Sequence, residues 1–307
     1  MTLTAIVLVL LSSLIHAGWN LLGKRDSADA PYFRVAATAG FLVMLPLLFV
    51  WRETVMLLPS PVPGLLLATG VFQGLYFIGL AGAYRRGELS LAYPVARALP
   101  VLLVPLFSAG LGTGSVPSRW AMAGIVTVVA GLLVISRNPG APGRLLPRRG
   151  GWGLFALLAG IGTTGYSIID DAAISLYRSA LVHQSLAVRL PFIYSGLQSA
   201  STVLFLFFFE VVRHRVARGR WRVPCRELAP GQVRSAAISG LAIIGAYCLV
   251  LAAYGFASNV GYVVAFRQMS LPIGTALGVL VLGERLHAHR LAGTALILIG
   301  LVMVGYG

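Results

Sequence analysis

The feature that most constrains this chain is a recurrence: runs of roughly 20 mostly apolar residues follow one another with only short polar breaks between them. Stretches such as Leu3 to Leu11 and Val203 to Phe209 are apolar on every side. They match neither an amphipathic soluble helix nor the alternating strands of a membrane barrel, so spanning helices are the consistent choice. Candidate crossings fall at residues 3–22, 32–51, 63–84, 89–110, 119–136, 151–169, 184–210, 236–257, 260–283 and 290–306. Ten spans of about 20 residues use about 200 of the 307 positions, which leaves loops but no separate soluble domain of ordinary size. With 58% hydrophobic residues, 11% charged residues and a mean hydropathy of +0.86, a water-facing globule is excluded. The expected fold is an all-α integral membrane protein of ten transmembrane helices.

Most breaks have visible causes: Lys24-Arg25-Asp26, Arg52-Glu53, Arg85-Arg86-Gly87 and Asn138-Pro139-Gly140 each interrupt an apolar run. Between the eighth and ninth spans only Gly255-Phe256-Ala257-Ser258-Asn259 intervenes. A tight turn is required there, because an unbroken helix over 236–283 would rise about 70 Å, more than twice a hydrocarbon core. The amino-terminal run has no basic residue before it and stays apolar through Trp19 to Leu22, so it reads as a first span and not as a cleaved signal.

The charge of +15 decides orientation once its positions are read. Arg213, Arg215, Arg218, Arg220, Arg222, Arg226 and Arg234 share one loop, and Lys24, Arg25, Arg85, Arg86, Arg137, Arg144, Arg148, Arg149, Arg285 and Arg290 fall in loops on the same side. The opposite loops hold only Arg52, Arg119 and Arg178. This bias predicts basic loops in the cytoplasm, facing anionic lipid, and both termini outside a bacterial-type cytoplasmic (inner) membrane. That topogenic role accounts for the charge without a nucleic-acid partner. Cys225 and Cys248 define no metal site or disulfide framework, and no cofactor is called for.

The chain also repeats itself. Arg119-Trp120-Ala121-Met122-Ala123-Gly124 is followed seven residues on by Gly131, and Arg290-Leu291-Ala292-Gly293 seven residues on by Gly300. Gly18-Trp19-Asn20 parallels Gly165-Tyr166-Ser167, Arg34 parallels Arg189, and Arg97 parallels Arg267, all in the same order. The units are residues 1–137 and 151–307, joined by a cytoplasmic linker at 138–150. Since each would hold five crossings, an odd number, the second enters the membrane from the opposite side. Two inverted five-helix repeats are the geometry of alternating access.

Three segments also carry a resemblance: Gly18-Trp19-Asn20 with Lys24, Ala92-Tyr93-Pro94-Val95-Ala96-Arg97 with Pro100, and Leu282-Gly283-Glu284-Arg285. They resemble the EamA-like branch of the drug/metabolite transporter superfamily, over nearly the whole chain. The resemblance implies a ten-span inner-membrane carrier of two five-helix repeats, exporting amino acids or related metabolites. The Gly-Glu motif before the last helix of a repeat is present at Gly283-Glu284 and missing around Thr113 to Ser118.

Candidate substrate-binding or gating residues are polar groups within the spans. Tyr93, Arg97 and Pro100 share one helical face, and Arg97 lies deep enough to be costly against lipid. A salt bridge, a carbonyl clamp and substrate attraction are all open to it. Arg267 and Gln268 repeat the pattern before Pro272, with Arg267 the shallower arginine, and Gly274 and Gly278 suit close helix packing. His16, Trp19 and Asn20 share an edge of the first span, related by the repeat to Tyr166 and Ser167. His16 suits either a helix contact or a gate. Gln73, Tyr76, Tyr84, Tyr247 and Tyr254 suit either a substrate path or interfacial anchoring. The carboxylates, Asp170-Asp171 included, fall mainly at expected span ends; Glu88 and Glu284 suit either a structural role in a loop or at a helix end or coupling to a proton or other ion. Phosphate-loop, zinc-protease and nucleophile-elbow motifs are absent, which disfavours an enzyme.

Overall fold

The computed structural model describes residues 1–26, 29–85, 89–112, 114–135, 152–181, 184–218, 228–282 and 287–307. Side chains are described for these apart from 24–25, 84–85, 89–95, 152, 184–185, 217–218, 278 and 281–282. Glu88, Glu284 and the 138–150 linker therefore lie outside the described residues, as do the side chains of Tyr84 and Tyr93.

Every described element is helical: α1 (Leu3–Arg25), α2 (Ala30–Val50), the single-turn α3 (Arg52–Met56), α4 (Pro61–Arg85), α5 (Leu89–Gly110), α6 (Arg119–Ile135), α7 (Trp152–Ser179), α8 (Leu190–Arg218), α9 (Pro230–Tyr254), α10 (Val260–Phe266), α11 (Ser270–Leu282) and α12 (Ala288–Tyr306). A 3₁₀ segment, Gln184–Arg189, leads into α8. Seven described helices are long and apolar enough to cross a membrane, and the apolar stretches Ala96–Gly110 and Arg119–Ile135 are shorter. Leu3, Phe49, Leu154, Phe208, Leu280 and Val302 remain exposed, as lipid-facing residues do.

The turn inferred between the eighth and ninth spans is held by Asn259. Its Oδ1 accepts from the Gly261 amide at 2.7 Å, capping α10, while its Nδ2 donates to the Ser115 carbonyl at 2.7 Å. Two differences from the sequence reading matter for function. Helix α7 does not stop near residue 169 but runs through Asp170-Asp171 to Ser179, because Asp170 is buried against side-chain donors instead of ending the helix in water. The ninth span is broken, with a 3₁₀ turn at Arg267–Met269 between α10 and α11.

Helices pack in a crossed pattern: α1 on α9, α4 on α7, α5 on α7, α2 on both α8 and α9, α4 on α8, and α6 on α12. Glycine sets the closest approaches. A Cβ on Gly124 would lie 2.6 Å from the Gly300 carbonyl oxygen and one on Gly300 2.6 Å from that of Gly124; Gly131 and Gly293 make the same reciprocal contact at 2.7 Å. Helices α6 and α12 thus cross antiparallel on bare backbone, where dispersion and packing replace the hydrophobic effect that lipid does not supply. Gly274 does not serve the close packing that its spacing suggests, since among the described residues a Cβ there would meet nothing within 4 Å.

Candidate functional site

The interruption at Arg267–Met269 places irregular backbone inside the bundle, where freed carbonyls need partners. Pro272 has no N–H to offer the carbonyl of Gln268. Local side chains repair the rest: Gln268 Nε2 donates to the Val264 carbonyl at 2.9 Å, and Ser270 Oγ to the Arg267 carbonyl at 2.9 Å. The break is thereby a built feature, and it turns Arg267 and Gln268 toward the neighbouring helices.

Arg97, on α5, meets this break. Its Nη1 donates to Gln268 Oε1 at 3.4 Å, and its Nη2 donates to Ser270 Oγ at 3.0 Å and to His16 Nε2. His16 in turn meets Trp19 edge-on, with ring centroids 4.8 Å apart. Arg267 Nη1 donates to Tyr166 Oη at 3.4 Å, and its guanidinium carbon lies 5.9 Å from the Tyr247 ring centroid. Tyr76, Tyr166 and Tyr247 follow one another edge to face, at 6.0 and 5.9 Å between centroids.

These groups surround two adjoining voids. One, about 290 Å³, is lined by His16, Tyr76, Arg97, Pro100, Thr163, Tyr166, Val264, Arg267 and Gln268. The other, about 320 Å³, shares His16, Tyr76, Tyr166 and Arg267 and adds Trp19, Gln73 and Tyr247. Among the described residues, Gln73 Oε1 and Trp19 Nε1 are buried without a hydrogen-bond partner. Both are groups a ligand or water would satisfy.

Of the sequence candidates, the structure gathers His16, Trp19, Gln73, Tyr76, Arg97, Tyr166, Tyr247, Arg267 and Gln268 around this space. Asn20 turns its Nδ2 back onto the His16 carbonyl at 2.7 Å, and Ser167 is fully buried with its Oγ unpartnered. The sequence reading missed Asp170. Its carboxylate accepts from Tyr194 Oη at 2.8 Å, from Gln198 Nε2 at 2.7 Å and from Tyr247 Oη. The signal in the sequence was position: four residues after Tyr166, Asp170 lies one turn along the same helical face. Tyr247 joins the two layers, giving its hydroxyl to Asp170 and its ring face to Arg267.

The arrangement holds cations, phenols and amides around a space between helices. Among the described residues, no three His, Cys, Asp or Glu side chains are grouped to hold a metal ion.

Residues 3–137 match the EamA-like transporter family. A solved structure titled "Crystal structure of protein" superposes with a TM-score of 0.68 over 99% of this chain and 96% of that one, at 17% identity. That likeness is one of fold. No curated protein matches the chain in sequence.

Proposed function

We propose that this protein is a secondary transporter that moves a small organic metabolite across the cytoplasmic membrane by alternating access, with export of amino acids or related polar or amphipathic metabolites as the preferred direction. The observation that carries the reading is the polar space at the helix break, walled by α1, α4, α5, α7, α9 and α10, which come from both halves of the chain. Broken helices with polar groups at the interface of two repeats are where carriers bind their cargo.

Packing supports the inverted repeat on which alternating access rests. Taking the spans in order, exchange α1 with α7, α2 with α8, α4 with α9, α5 with α10–α11, and α6 with α12. The contact of α1 with α9 then becomes that of α7 with α4, the contact of α2 with α9 becomes that of α8 with α4, and α5 with α7 becomes α10–α11 with α1; each of these pairs is in contact. Gly124 and Gly131 are the repeat counterparts of Gly293 and Gly300, and the reciprocal contacts Gly124–Gly300 and Gly131–Gly293 are the self-complementary pattern of a two-fold axis. Direction and substrate class rest on the resemblance of the sequence motifs alone. Glu88 and Glu284 stay as coupling candidates on sequence grounds, and Asp170 joins them as a buried carboxylate beside the cavity.

Purified protein in sealed vesicles, offered a panel of amino acids and polar metabolites, should show counterflow of at least one of them without ATP. A correctly folded preparation that moves none of the panel under any imposed gradient would overturn the transport reading.

A further inference from the structure

Arg267 is a cation with too few acceptors. A guanidinium carries five N–H donors, yet among the described residues this one makes a single hydrogen bond, to Tyr166 Oη at 3.4 Å, besides facing the Tyr247 ring. Glu210 pairs with Arg34, and among the described residues no carboxylate lies within pairing distance of Arg267. Asp170, the acidic group of this region, directs its oxygens to Tyr194, Gln198 and Tyr247 instead. A half-buried charge inside a bundle is retained at a cost unless something neutralises it. Here Arg267 lines the void that His16, Arg97 and Gln268 also line, the space from which an acceptor could reach it.

We infer that Arg267 is the docking point for an anionic group of the transported molecule, and that this group is a carboxylate. The inference deepens the transport reading and rests on it. The planar fork of a guanidinium matches a carboxylate through two parallel hydrogen bonds. Arg97 faces the same space, adding to its positive potential, while its Nη atoms reach His16, Gln268 and Ser270. Phosphate monoesters also match the fork but carry nearly two charges and three acceptor oxygens, and the other guanidinium at this space, that of Arg97, already has its Nη atoms on His16, Gln268 and Ser270. The rings of Tyr76 and Tyr166 stand beside the fork and give the rest of the molecule an amphipathic wall.

The test compares matched compounds on the intact protein in neutral-lipid nanodiscs: phenylacetate, phenylalanine and the other common amino acids, against their carboxamides, with phenethylamine and phenyl phosphate alongside. Calorimetric titration should find carboxylates that bind, with each corresponding amide at least tenfold weaker. Arg267→Gln should erase that preference, and Arg267→Lys, keeping charge without the fork, should retain part of it. Wild-type discrimination between acid and amide needs no variant, so a misfolded Arg267→Gln protein does not remove the test. The inference is overturned if none of the carboxylates binds, if amides or phenyl phosphate bind as tightly as acids, or if a folded Arg267→Gln protein keeps the preference. Flux of the same compounds in vesicles separates the two claims. Movement without preference for acids leaves transport standing and rejects the anion site, whereas carboxylate binding without flux rejects transport and leaves the site.

Discussion

Asp170 and Arg97 show how single polar residues are tolerated within helices that otherwise meet lipid. Asp170 is fully buried and accepts from three side chains on two other helices, so it ties α7 to α8 and α9. Removing the acceptor strands the hydroxyls of Tyr194 and Tyr247 and leaves Gln198 Nε2 with Thr69 Oγ1. Asp170→Ala is expected to lower stability by about 2 to 4 kcal/mol, since an unsatisfied buried polar group costs about 1 to 3 kcal/mol and networks lose more than one bond. Asp170→Asn, which keeps an acceptor oxygen, should lose less; reversible unfolding of both variants in detergent measures the difference. Arg97 bridges α5 to α1 and to the break before α11. Arg97→Leu should abolish most flux, and Arg97→Lys should keep a fraction of it because charge survives without the fork. Thermal stability measured on the same samples assigns the loss: a melting temperature that falls in step with flux makes Arg97 a structural clamp, while flux lost at unchanged stability places it in the site.

At the scale of helices, the glycine crossing of α6 and α12 is the sharpest test of packing. Gly124→Val puts a branched side chain where even a lone Cβ would lie 2.6 Å from a backbone oxygen, and backbone cannot rotate away as a side chain can. A loss of about 1 to 3 kcal/mol or more is expected, as for overpacked sites. Gly274→Ala, with open space around it, should change stability by less than about 1 kcal/mol and in the favourable direction, because alanine restricts the unfolded chain. Unfolding of the two variants in parallel measures the contrast. Much of this level was legible in the chain, because apolar runs of membrane length leave helices as the only structure that satisfies its own backbone. The sequence showed the matched spacing of Gly124, Gly131, Gly293 and Gly300, though not that the four would meet one another. Helix ends were read less well for a physical reason. Asp170-Asp171 looked like the water-facing end of a span, and only tertiary donors from α8 and α9, invisible to local pattern, allow α7 to continue past them. The same limit applied to the site: residues far apart in sequence, His16, Arg97 and Arg267, come to one void through helix crossings that periodicity does not encode.

For the molecule as a whole, the proposed cycle sets a polar interior, reached from two sides in turn, within a lipid-facing exterior. Orientation is the first consequence. Reporters active on opposite sides of the membrane, placed after Gly307 and within the basic segment at 213–234, should find the carboxyl terminus outside and the basic segment in the cytoplasm. Alternating access requires above all that the void beside Arg267 open in turn to the two compartments, and labelling of a single introduced thiol probes this without knowledge of the substrate. Thr163 lines that void from α7, so Thr163→Cys, made with Cys225 and Cys248 replaced by serine, puts a thiol in its wall. A membrane-impermeant thiol reagent applied in turn to each face of oriented vesicles is predicted to reach this cysteine from both sides, each side excluding the other when the protein is held in one conformation. Labelling from one face alone under every gradient imposed, or from neither face in a folded protein, would contradict it.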